Sequence, residues 1–216
     1  STAATLRHAA PSARPHIAAP PPRPRCAAPL CFTADTSGNI TISAPPSLAF
    51  AAYDNIERMS EWLYLLDHVT FLDREERRSE WVLRIPRVVA ALARRAGLGS
   101  FISWEAVHEV EAPTRLRWKS LSGFPNAGEM GFEPTEGGGT QVTLQMTYTL
   151  PDFAAPLVEN GLARRLMRYT VRRTMERFRD VIEAEAAELG EGPTPLDVSV
   201  DVSVEEERPH DAAQLS

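Results

Sequence analysis

The residue best suited to proton-transfer chemistry in this sequence is His108, because an imidazole titrates near neutral pH. Side-chain alternation along Phe101–Val110 places His108 on the same face as Trp104 and Ala106. That face carries no carboxylate to orient the ring, and a structural histidine of the core is the competing interpretation. His108 is therefore a candidate ligand contact rather than an assigned base.

Two hydroxyl groups at inward-facing strand positions, on Ser120 and Tyr148, could donate hydrogen bonds to a carbonyl oxygen. The sequence holds no Ser-His-Asp arrangement, no HExxH motif and no phosphate-binding loop with a lysine; Gly137–Gly139 is typical of a hairpin turn. Both cysteines, Cys26 and Cys31, lie in a proline-rich N-terminal stretch. We predict no catalytic residue, no metal site and no cofactor.

Bulky apolar side chains are more numerous than chemically active ones at the inward-facing positions. Flexible methionines and flat aromatic rings suit a large apolar guest. An ordinary core is the alternative, because a sheet wrapped around a helix buries apolar side chains even without a ligand. The predicted ligand-binding residues are Trp81, Trp104, His108, Trp118, Met130, Phe132, Met146, Tyr148, Met167 and Thr170.

Antiparallel strands followed by one long helix are the elements that would position these residues. The segments Phe101–Val110 and Arg115–Ser120 read as strands, and Thr140–Leu150 alternates apolar and polar residues after the glycine turn. From about Ala155 to Leu189 the apolar residues recur at helical spacing. This order predicts a sheet that closes on a helix around an internal space.

Several short segments carry a resemblance to a known family. They are Ile40–Pro45, Trp118–Gly123, Asn126–Gly128, Phe132–Pro134, Thr140–Val142 and Met175–Glu183, together with Phe50, Asp54 and Trp62. The chain resembles, over residues 38–189, the polyketide cyclase/dehydrase and coenzyme Q-binding START-like proteins of the SRPBCC superfamily. The resemblance implies an α+β helix-grip (START/Bet v 1-like) fold. In that fold a curved antiparallel sheet wraps one long C-terminal helix, and two short helices follow the first strand.

The two ends of the chain differ from the middle in composition. Residues 1–37 are rich in alanine and proline and carry four arginines against one acid, which is typical of an organelle-targeting leader. The scattered prolines favour a plastid, with a mitochondrion as the alternative. Residues 190–216 carry seven acids against one arginine and are predicted to be a disordered acidic tail. Residues 38–189 are predicted to form the single folded domain.

Arginines flank a short apolar helical insertion at residues 87–96. We predict that Arg87, Arg94 and Arg95 contact anionic lipid headgroups, with a solvated helix face as the alternative. The whole chain has a formal net charge of −6, which argues against a nucleic-acid partner. No apolar stretch reaches the roughly 18 residues that a membrane-spanning helix needs.

Three functions remain open on this evidence. The sequence favours binding, transport or chaperoning of an apolar molecule (a lipid, quinone, isoprenoid or pigment) without catalysis, because the predicted pocket lacks paired titratable groups. The first alternative is a polyketide cyclase/dehydrase-like enzyme, in which folding a reactive chain would be the main contribution of the protein. The second is an accessory subunit of a plastid membrane complex.

Overall fold

The computed structural model describes residues 32–87, 89–95, 99–150, 158–190 and 200–207, and these form one layer of sheet against helices. The strands are β1 (Phe32–Ile42), β2 (Leu66–Asp73), β3 (Arg78–Arg84), β4 (Phe101–Glu111), β5 (Arg115–Gly123), β6 (Asn126–Pro134), β7 (Thr140–Leu150) and β8 (Asp201–Glu207). The helices are α1 (Pro46–Asp54), a 3-10 helix (Ile56–Glu61), α2 (Ala90–Arg95) and α3 (Leu162–Leu189).

All eight strands form one antiparallel sheet in the order β2-β3-β4-β5-β6-β7-β1-β8. The long helix α3 lies against β1 and β8 on the inner face of this sheet. Gly38 in β1 permits the close approach, since a Cβ there would lie 3.2 Å from Cγ1 of Val171. The predicted helix-grip fold, with two short helices after the first strand, is confirmed.

An aromatic cluster closes the space between sheet and helix at one end. Phe178 of α3 stacks edge-on against Trp62 at 5.0 Å and against Tyr53 at 5.6 Å between ring centroids. Phe132 of β6 contacts both Tyr53, at 5.9 Å, and Phe50, at 5.6 Å. Because α1 and the 3-10 helix region supply three of these rings, the two short helices close this end of the space. We call this region the closed end.

At the opposite end of the molecule the aromatic rings are exposed rather than buried, since Tyr64 is 50% and Tyr169 48% exposed. The carboxylate of Glu183 accepts a hydrogen bond from the backbone N–H of Ser43, 2.7 Å away, so α3 ends near the closed end and begins at the other. There Tyr169 makes an edge-to-face contact with Tyr64, which precedes β2. The starts of β1, β2, β4 and β6 lie at this same end, because neighbouring strands are antiparallel. We call this region the open end.

The predicted domain boundaries need correction at both ends. Strand β1 begins at Phe32, six residues before the predicted start of the domain at residue 38. Residues 201–207 were predicted to be disordered but form β8, which pairs with β1 and buries Val204. The alternating valines of this acidic segment lie on one face of β8, against α3. Burial of these valines stabilises the strand more than repulsion between its acidic side chains destabilises it. Residues 1–31, 191–199 and 208–216 lie outside the described residues, so the targeting leader stays a prediction.

Candidate ligand-binding site

The concave face of the sheet carries a continuous row of side chains across five strands. Cross-strand pairing joins Thr36 to Met146, Met146 to Gly128, Gly128 to Trp118, and Trp118 to His108. Directly paired residues point to the same face of a sheet. The structure therefore brings three of the predicted ligand-binding residues, Met146, Trp118 and His108, into one line on the inner face of the sheet.

Trp118 lies flat on the sheet because its cross-strand partner is a glycine. A Cβ at Gly128 would lie 2.5 Å from Cζ2 of Trp118 and 2.5 Å from the carbonyl oxygen of Gln145. The indole N–H of Trp118 donates to Oδ1 of Asn126 at 3.0 Å, and the amide nitrogen of Asn126 donates to the carbonyl of Phe124 at 2.9 Å. The ring is thus held by a glycine beneath it and an amide at its polar edge.

A second group of aromatic side chains lies on β3 and β4. The rings of Trp81 and Trp104 stack with 9° between their planes and 6.0 Å between centroids, and Phe124 lies 6.1 Å from Trp104. Trp81 is buried, whereas Trp104 is only partly buried. The concave face near the open end therefore presents flat apolar surface rather than charge.

His108 belongs to a buried hydrogen-bonded group. Its Nε2 lies 2.8 Å from Oγ of Ser79, and the same oxygen accepts the indole N–H of Trp81 at 2.8 Å. Burial, and then the positive charge of Arg77, lower the pKa of His108 from 6.5 to about 4, while Asp54 acts in the opposite direction. The imidazole is therefore neutral at physiological pH and holds Ser79 and Trp81 in place.

This burial predicts an acid-sensitive fold. The pKa of His108 is lower in the folded chain than in the unfolded one, so the unfolded state binds the additional proton between pH 6.5 and about 4. The contribution of the neutral ring to the free energy of unfolding is fully present above pH 6.5. As the pH falls to about 4, this contribution decreases by about 3 kcal/mol. Denaturant titrations of wild type and His108→Leu at several pH values should show a shallower acid loss in the variant.

The exposed histidine His68 provides the control for this measurement, since its side chain is 54% exposed beside Asp67. A His68→Gln chain should retain the acid-dependent loss of the wild type. If His108→Leu and wild type lost the same free energy between pH 7 and pH 4, the assignment of the loss to His108 would be wrong.

The remaining predicted ligand-binding residues divide by burial. Met130, Phe132 and Tyr148 are at most 2% exposed, so they form core between the sheet and its neighbours. Trp104, Trp118, Met146, Met167 and Thr170 are only partly buried. All the predicted strand residues lie on the concave face, and Trp104, Trp118 and Met146 are the ones among them that are only partly buried.

The match to known proteins agrees with this geometry. Residues 33–183 match the sequence model of a family described as polyketide cyclase/dehydrase and lipid transport. The chain belongs to this family. No curated protein matches the chain in sequence.

Several solved structures have a similar fold. The protein TTHA0849 from Thermus thermophilus is 25% identical with a TM-score of 0.57, over 70% of this chain and 99% of that one. A START superfamily protein from Mycobacterium smegmatis is 12% identical with a TM-score of 0.51, over 72% and 99% of the two chains. The Zhui aromatase/cyclase from Streptomyces sp. R1128 is 14% identical with a TM-score of 0.50, over 72% and 94%.

The arginines predicted to contact lipid lie apart from the concave row. Arg87 and Arg94 are exposed beside and within α2, which the structure limits to six residues, and the side chain of Arg95 lies outside the described part. Their role at a membrane stays a prediction. None of the described helices is long and apolar enough to cross a membrane, and the described residues contain no group of side chains that could hold a metal ion.

Two site residues escaped the sequence analysis, Ser79 and Asn126. Both are short polar residues within strands, and each holds a tryptophan by its indole N–H. Ser79 stands two positions before Trp81, so strand alternation places it on the inner face. The sequence could therefore have predicted the contact of Ser79, because a polar residue on the same inner face as a nearby tryptophan can accept its indole N–H. Asn126 begins its strand, and no periodic pattern indicated its contact with Trp118.

Proposed function

We propose that this chain binds an apolar small molecule between the concave face and α3, near the open end, and carries or shields it without converting it. The observation that supports this proposal most is the chemical character of the concave face. Among the described side chains, Trp104, Trp118 and Met146 on this face and Met167 of α3 are partly exposed. His108, on the same face, is neutral and buried. Aromatic and thioether side chains around few polar groups are typical of sites for apolar ligands.

The same surface favours a ligand with at least one hydrogen-bond acceptor. The indole N–H of Trp104 is buried and has no hydrogen-bond partner among the residues that the structure describes. A buried donor without an acceptor costs free energy, and a ligand oxygen that reached this nitrogen after a side-chain movement would recover that cost. Quinones and other carbonyl-bearing isoprenoids have the required combination of a large apolar body and an oxygen atom.

Tryptophan fluorescence tests this proposal directly. A quinone is expected to quench the emission of Trp104 and Trp118 in a saturable way if it binds near the open end. Replacing both with phenylalanine should reduce the quenching to the contribution of Trp81, which stacks on Trp104, whereas Trp62→Phe at the closed end should leave it unchanged, since Trp62 is fully buried there. Quenching that survives the double replacement and disappears with Trp62→Phe would place the ligand elsewhere.

A cyclase or dehydrase is the second candidate. It is favoured by the 2.8 Å contact between Ser79 and His108, which has the geometry of a hydroxyl beside a base. The low pKa of His108 and the complete burial of Ser79 weigh against it, because a general base works best with a pKa near the operating pH.

Mass analysis of a bound polyketide-like chain distinguishes the two candidates. A carrier returns the molecule with its mass and connectivity unchanged, whereas a cyclase releases a ring-closed or dehydrated product. A product that depends on His108 and Ser79 would favour the enzyme, and its absence with tight binding would favour the carrier.

A further inference from the structure

The first half of α3 carries an unusual exposed charge. Residues 162–175 include five arginines and no acid, and Arg164, Arg165, Arg168 and Arg172 are exposed. We call these four residues the α3 arginine face. Arg165, Arg168 and Arg172 surround Tyr169 in a shallow depression of about 230 Å³.

These arginines do not serve the stability of the helix. The backbone dipole makes the start of a helix positive, so cations there are unfavourable, and α3 has no acid in its first turn to offset them. Arg164, Arg168 and Arg172 also follow one another at four-residue spacing, at which like charges repel. The charge pattern therefore points to a partner outside the helix.

Neighbouring side chains leave this charge largely uncompensated. Arg164, Arg165 and Arg168 form no ion pair with any residue in the part of the chain that the structure describes. Arg172 reaches Glu176 only at 3.8 Å, and that carboxylate is shared with Arg173 at 3.7 Å. The α3 arginine face thus presents guanidinium groups that are free to contact anionic oxygens.

Exposed rings and apolar side chains lie at the same open end. Tyr169 is 48% exposed and Tyr64 is 50% exposed, with 6.4 Å between their ring centroids. Phe101 at the start of β4 and Leu121 near the end of β5 are about half exposed as well. Amphipathic rings beside arginines are typical of the headgroup region of a bilayer, where each ring has an apolar body and a polar edge.

We propose that the α3 arginine face, with Tyr64 and Tyr169, docks the protein on a bilayer of anionic phospholipids, so that the open end faces the membrane. A nucleic acid would match the arginines but would leave the exposed Phe101 and Leu121 in water, and an acidic protein partner is one of the outcomes that the experiment below distinguishes. The purpose of this docking, direct exchange of an apolar molecule with the bilayer, rests on the proposed function, but the docking itself requires no ligand.

Vesicle co-flotation of the full chain tests this inference without any pocket ligand. Wild type should bind vesicles of phosphatidylcholine with phosphatidylglycerol at low salt, bind pure phosphatidylcholine weakly, and dissociate as salt rises. Replacing Arg165, Arg168 and Arg172 together with glutamine should weaken binding to the anionic vesicles about 100-fold, since each arginine near such a surface contributes about fivefold.

The matched control removes the same charge elsewhere. Arg74, Arg78 and Arg117 form ion pairs with acids outside α3, and their replacement with glutamine should leave binding within about twofold. The α3 triple variant should also unfold at an equal or slightly higher temperature, by about 2–4 °C, because repulsion within the helix is removed. That result separates a docking surface from a structural one.

Three outcomes would overturn the inference. The first is equal vesicle binding by wild type and the α3 triple variant, and the second is an equal loss in the control variant. The third is absence of vesicle binding while the α3 arginine face retains a negatively charged polypeptide or RNA offered in the same buffer. The quinone quenching measurement does not depend on any of these outcomes, so it tests the proposed ligand-binding function independently.

Discussion

Replacing Phe178 with alanine is expected to lower the free energy of unfolding by about 3–5 kcal/mol, because the change leaves a cavity in the aromatic cluster. The ring is 1% exposed and contacts Trp62 and Tyr53, which belong to the segments between β1 and β2. It therefore packs α3 against the short helices of the closed end. Urea denaturation followed by circular dichroism would measure the loss.

The same helix offers a matched control in Tyr169, which is about half exposed. Tyr169→Ala removes a ring of similar size from α3 and should change stability by no more than about 0.5 kcal/mol. Equal losses in the two variants would mean that the helix is held along its whole length rather than at the closed end.

A methyl group added at Gly128 is expected to reduce both stability and ligand affinity. The new Cβ would overlap the indole of Trp118 and the backbone of β7, and such overpacking costs about 1–3 kcal/mol. The displaced indole would also leave its hydrogen bond to Asn126 and enter the space offered to the ligand. We expect quinone affinity, measured by titration, to fall about fivefold to tenfold.

Two further variants identify the cause of this loss. Gly137→Ala adds the same methyl in a turn where no atom lies within 4 Å, so stability and affinity should not change. Combining Gly128→Ala with Trp118→Ala should cost less than the sum of the two single changes, because the second removes the ring that the first displaces. Strict additivity would contradict the contact between Gly128 and Trp118.

Much of the concave face could be predicted from alternation alone. Alternation predicts that Trp81, Trp104 and Trp118 point inward. Antiparallel pairing then determines which neighbours share their face, and the observed registers agree. Alternation does not reveal how deeply a helix packs over a given position. For that reason Met130 and Phe132 were predicted to line the pocket, although they are buried in the core.

The segment that became β8 shows the opposite difficulty. Its valines alternate as a strand requires, but its acids outnumber its basic residues and favoured disorder. The segment forms a strand because the edge of β1 beside α3 has unpaired backbone groups that β8 can pair with. That edge exists only in the assembled sheet, so the sequence of the segment alone does not reveal it.

The pairing of β1 has a consequence for how the chain is made. Ser37 contacts Ser203, 166 residues later, and Thr41 contacts Gln141, 100 residues later. On the ribosome, β1 emerges before either neighbour exists, and its backbone groups stay without their final partners until β7 and then β8 are synthesised. Contacts so distant in sequence slow folding and prolong the exposure of an unpaired strand that carries Ile40 and Ile42. The nascent chain is therefore most dependent on protection from aggregation during synthesis of its middle section.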